Sequence, residues 1–150
     1  MVNSFMDVFG NTVVTVPAFA WVVTQVTKVI YDLEKHRKID IRRFVGAGGM
    51  PSSHTAFVTS LATVIGLHSG WGSVEFGITF ALAMIVMYDA TGVRRAAGKQ
   101  AQVLNKLIAE SQSSGKLTNL DVKLKELIGH TPFEVLVGGI IGILFGILFS

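Results

Sequence analysis

Two histidines, His54 and His130, stand beside hydroxyl and carboxylate residues at the starts of apolar runs, and arginines stand at the end of a third. At positions 46–54 (GAGGMPSSH) a glycine-rich stretch leads through Pro51 and two serines into an apolar segment. A helix starting there presents unpaired backbone N–H groups, which favour an anion, and His54 in its first turn is held over that position. The plainer reading is that Ser52 or Ser53 is an N-cap and His54 an interface histidine. Positions 88–95 (YDATGVRR) end a second apolar run on Arg94 and Arg95, which serve as a charged anchor or as donors to an anion. At positions 129–134 (GHTPFE), His130 and Glu134 are four apart. On one helical face the carboxylate can hold the imidazole by its far N–H, as a structural bond or as a catalytic dyad. Together these groups are what a phosphate needs: cationic donors for its oxygens, a nucleophile and a proton donor. Asp32, Asp40 and Asp89 are scattered and the chain has no cysteine, so no metal site and no cofactor are expected.

The elements that must position these groups are hydrophobic. Half of the 150 residues are apolar and 15% are charged, against about 25% charged in an ordinary soluble domain. Mean hydropathy is +0.54. One soluble core cannot bury such a composition, but lipid can dissolve it. Four stretches qualify as spans: 13–31, with Pro17 near its start, 53–71, 74–90 and 133–149. The second is short and threonine-rich, and a half-buried or re-entrant helix is its alternative. The expected fold is a single all-α membrane domain of about four transmembrane helices. The first eleven residues hold no Lys or Arg, so the first run reads as a retained span rather than a cleaved signal.

Every Lys and Arg except Lys28 lies in one of two polar segments, 32–52 and 91–132, and Lys28 sits near the same end of the first span. Four crossings put both segments on one face, and the positive-inside rule makes that face cytoplasmic. The second segment carries two amphipathic patterns. One runs over 96–109, with Val103, Leu104, Leu107 and Ile108 at helical spacing; the other is marked by Leu120, Leu124, Leu127 and Ile128 after Thr118 or Asn119. Such a pair either lies on headgroups or packs as a hairpin on its own bundle. The last span carries Gly138, Gly142 and Gly146 at intervals of four, which lets two helix backbones approach closely. The partner is another span or a second copy; a homodimer is expected. No nucleic-acid partner is expected, and no span carries the mid-membrane charge typical of an ion path.

The runs at 48–58 (GGMPSSHTAFV), 88–101 (YDATGVRRAAGKQA) and 129–139 (GHTPFEVLVGG) resemble the divergent branch of the type 2 phosphatidic acid phosphatases, relatives of acid phosphatases and vanadium haloperoxidases. Lys35 and Arg42 have the seven-residue spacing of that superfamily's first motif, with Arg43 where proline stands there. Pro51, Ser52, Ser53 and His54 match its second motif, with serine for glycine. In the third, Arg94 or Arg95 would be the arginine and His130 the histidine, with Glu134 for aspartate. Thirty-five positions separate Arg95 from His130, where the superfamily has a short spacing.

The resemblance implies metal-independent hydrolysis of a phosphomonoester, while the charge sorting places the site at the cytoplasmic leaflet and its headgroup level points to a lipid phosphomonoester or diphosphate. His130 would be the nucleophile, Glu134 would fix its tautomer, and His54 would be the acid and then the base. Lys35, Arg42, Ser53 and Arg94 or Arg95 would hold the phosphoryl oxygens. The rival expectation is a non-catalytic membrane protein that uses the same site to bind an anionic lipid or nucleotide.

Overall fold

Five helices account for the apolar runs: α1 (Thr12–His36), α2 (Ser53–Ser69), α3 (Val74–Thr91), α4 (Val93–Ser113) and α5 (Pro132–Phe149). The computed structural model describes residues 7–36, 49–114, 124, 126 and 129–150, without the side chains of Asp32, Lys35 and His36. Each start has a local cause. The Ser52 hydroxyl caps Thr55 N, the Ser73 hydroxyl caps Phe76 N, and Thr131 with Glu134 forms a capping box before Pro132. Each such cap contributes about 0.5–2 kcal/mol. The α2–α3 turn passes through Gly70 at φ +92.

Three helical stretches are long and apolar enough to cross a membrane: Thr12–Tyr31, Val74–Ser113, which comprises α3 and α4, and Pro132–Phe149. The 17-residue α2 packs against α1, α3 and α5 and forms the centre of the bundle. The fold is therefore an all-helical membrane bundle, with α2 the short member that the sequence marked as uncertain. Of the expected amphipathic pair, the first is α4. Most of the second lies outside the described residues, and the two described there, Leu124 and Glu126, are not helical. Asn105 of α4 holds that strip: its Oδ1 accepts from Leu124 N at 3.0 Å, and its Nδ2 donates to Leu124 O at 2.9 Å.

The interior is polar and small, the exterior large and apolar. Thr24, Thr55, Thr59, Ser60 and Thr63 are buried, whereas Ile78, Phe80, Met84, Ile85, Leu136, Ile140 and Leu148 are exposed. Lipid is as apolar as leucine, so burying leucine between helices gains little there, and close backbone packing with internal hydrogen bonds holds the bundle instead. Thr59 and Thr63 return their hydroxyls to the carbonyls of Thr55 and Thr59, at 2.8 and 2.7 Å. Thr59 also reaches across to Gly139 O at 3.2 Å. The glycine stripe of α5 lies on this surface. A methyl at Gly138 would strike Ser52, one at Gly142 would strike Thr59 and Ala56, and one at Gly146 would strike Thr63. The stripe is thus occupied within one chain, by α2.

Candidate functional site

The C-terminal end of α3 and the N-terminal ends of α2 and α5 meet at one end of the bundle, where the loop before α2 also rests on α1. Backbone bonds fix the meeting. Ser52 N donates to Glu134 O at 3.2 Å, tying the start of α2 to the first turn of α5, and His130 N donates to Ala90 O at 2.9 Å, tying the approach to α5 to the end of α3. Gly129, at φ +90, lies against the main chain of Arg94 and Arg95; a Cβ there would be 2.7 Å from Arg95 Cα and 2.8 Å from Arg94 C. Although His130 lies thirty-five positions after Arg95, the run at 129–134 thus rests on the run at 88–95.

His130 is 4% exposed. It precedes α5 rather than standing on its first face, because Thr131 is the N-cap and Pro132 begins the helix. The pairing with Glu134 survives by another route. As the third residue of the capping box, Glu134 reaches back, and its Oε2 meets His130 Nδ1 at 3.1 Å and accepts from Thr131 N at 3.0 Å. A carboxylate at Nδ1 favours the tautomer with its proton there and its lone pair on Nε2. Nε2 is buried with no hydrogen-bond partner among the described residues, as is the hydroxyl of Ser53. Burial holds His130 below its ordinary value of 6.5; the hydrogen bond and charge of Glu134 oppose this, and the Lys28 and Arg94 cations add to it. Neutral imidazole is the form able to attack an electrophile.

His54, in the first turn of α2, is exposed and close enough to interact electrostatically with His130, Arg94 and Lys28. It also lines an apolar cleft with Trp21, Phe57, Val58 and Val86. Arg94 Nε donates to Asp89 Oδ2 at 2.6 Å in an exposed pair. Of the two arginines, Arg94 is the one whose charge bears on both histidines. Arg95 contributes its backbone to the contact with Gly129, and its side chain is exposed. Lys35 lies in the last turn of α1 with its side chain outside the described residues, and Arg42 lies outside them altogether. Among the described residues no group of three or more His, Asp or Glu could hold a metal ion.

One cation escaped the motif reading. Lys28 of α1 is only 2% exposed, the largest of the fully buried side chains, and its charge bears on both histidines. Its signal in the sequence is a lone lysine inside an otherwise uncharged apolar run.

A family model described as the divergent PAP2 family matches residues 9–145. A protein of Bacillus subtilis (strain 168), the uncharacterized membrane protein YuiD, is 40% identical over 154 residues, covering 97% of this chain and 98% of that protein. No solved structure matches the chain.

Proposed function

This chain belongs to the divergent PAP2 family, and from that premise we propose that it is a membrane phosphatase, hydrolysing a lipid phosphomonoester or diphosphate at the cytoplasmic leaflet through a phosphohistidine. The observation that carries the reading is His130, buried, with Nδ1 on Glu134 and Nε2 without a partner among the described residues. In the first step Nε2 attacks the terminal phosphorus, a P–N bond forms and the P–O bond to the leaving group breaks, which is the lipid alcohol for a monoester and the lipid monophosphate for a diphosphate. His54 gives its proton to the departing oxygen. In the second step His54 takes a proton from water, the water oxygen bonds to phosphorus, and the P–N bond breaks to release inorganic phosphate and restore neutral His130. Such proton transfers contribute about 10²–10⁴-fold. Arg94, Lys35, Arg42 and the backbone N–H of Ser53 neutralise the charge on the phosphoryl oxygens. Basic residues at the site's end of the bundle support the cytoplasmic side. The apolar cleft beside His54 supports a substrate with a hydrocarbon tail.

A second reading draws on the same burial. Ser53 Oγ and His130 Nε2 are shielded from solvent, which suits a chain that keeps an anion site without turning the ligand over. One experiment separates the two. Detergent-purified protein is incubated, without added metal, with phosphatidic acid, phosphatidylglycerophosphate and polyprenyl phosphate and diphosphate, and inorganic phosphate is measured beside His130→Ala. The phosphatase releases phosphate from at least one of them and the variant from none. Folded wild-type protein that releases phosphate from none of the panel, or a variant as active as wild type, overturns the proposal.

A further inference from the structure

Lys28 stands where a cation is costly. It belongs to the stretch Thr12–Tyr31, which is apolar enough to cross a membrane, and it is buried inside the bundle rather than reaching past the helix end. An ionisable side chain in a membrane helix marks a functional site far more often than it adds stability. Its surroundings point to which site. The loop entering α2 lies on its stem: at Gly49, with φ +93, a Cβ would be 3.4 Å from Lys28 Cγ and 3.5 Å from Cδ. Four residues after Gly49 the chain reaches Ser53, whose hydroxyl is buried without a partner, and then His54. Gly49 thus seats the loop of the anion site directly on the lysine. The Lys28 charge also bears on His54 and on His130.

We propose that Lys28 is a phosphate-binding residue of this site, its ammonium holding phosphoryl oxygens from beneath the loop that Gly49 to His54 forms. The assignment rests on the anion-site reading above and adds a cation that no motif supplied. Lys35, seven residues on, falls on nearly the same face of α1 but about 10.5 Å nearer the helix end. Lys28 therefore acts at the level where α1 meets the start of α2, and Lys35 a heptad further out. A desolvated ammonium attracts a dianion more strongly than an exposed one, because less water screens it. The ligand class is a phosphate monoester or inorganic phosphate, both of which present the same oxygens.

The test uses the full chain in detergent at low ionic strength, with inorganic phosphate as the probe. Its affinity is measured by calorimetry for wild type, Lys28→Met, Lys28→Gln and Lys28→Arg, and folding is followed by thermal unfolding. The expected result is a loss of at least about tenfold in phosphate affinity for the folded Met or Gln variant, with most of it restored in Lys28→Arg. A folded Met or Gln variant that binds phosphate like wild type overturns the assignment, and so does wild type that binds no phosphate. If both neutral variants unfold while Lys28→Arg binds as wild type does, the role is structural and the proposal also falls. Failure of the phosphatase reading remains distinguishable. Wild type that binds phosphate through Lys28 but turns over no lipid sinks hydrolysis alone, whereas Lys28→Met with wild-type kcat and KM sinks Lys28 alone.

Discussion

Replacing Gly129 by alanine attacks the joint that brings the run carrying His130 onto the run carrying Arg94. Two penalties add there. A side chain at φ +90 enters a conformation that costs about 1–3 kcal/mol. The new Cβ would also lie 2.7 Å from Arg95 Cα, where ordinary contact begins near 3.4 Å. Arg95 N lies closer still to that position, so the backbone must retreat by more than about 0.7 Å, and such overpacking costs a further ~1–3 kcal/mol. The retreat pulls on the 2.9 Å bond from His130 N to Ala90 O, and so on the imidazole itself. A displacement near 1 Å costs about 10²-fold in rate. Gly70→Ala is the matched control, since Gly70 has φ +92 with nothing within 4 Å of its Cβ position; it carries the conformational penalty without the collision. Denaturant unfolding in detergent should place Gly129→Ala about 1–3 kcal/mol below Gly70→Ala, and phosphate release should fall about 10²-fold in the former alone. Equal stability and equal turnover in the two variants would refute the argument that this close contact positions His130.

Two further outcomes follow from the His130–Glu134 pair. Glu134→Gln places an amide where the carboxylate was, so its NH₂ can donate to Nδ1 and move the ring proton to Nε2. Loss of turnover by about 10⁴-fold is expected, the size seen when an orienting carboxylate becomes an amide in a catalytic triad. Nitrogen NMR of the imidazole should show the tautomer reversed, and an unchanged tautomer with near-normal turnover would remove Glu134 from its role. In the wild type, His130 should titrate below 6.5, because burial outweighs the carboxylate. With the folded value depressed, the unfolded chain binds more protons as pH falls through 6.5. The stability linked to this residue is therefore constant above 6.5 and declines below it, toward the folded value. A midpoint at or above 6.5 in an NMR titration would contradict the burial argument.

The membrane class was legible from composition, because half the chain is apolar and 15% is charged, and only lipid dissolves that. The apolar runs that became α1, α3 and α5 were legible for the same reason, and the start of α2 because Ser52 is a cap with a local signature. So was the pairing of His130 with Glu134, since residue type and short spacing carry that information. Other features depended on contacts between distant parts of the chain. Gly138, Gly142 and Gly146 announced a close helix partner, but only packing shows that the partner is α2 of the same chain. His130 sits just before the N-cap of its helix rather than on it, because Thr131 caps α5 and Pro132 starts it. The long separation between Arg95 and His130 hid the joint at Gly129, because spacing along a chain does not measure distance in the fold. Lys28 showed only as a lone lysine inside an apolar run. Its burial against Gly49, with its charge bearing on both histidines, required α1 and the loop before α2 to meet, and no local rule brings two such segments together.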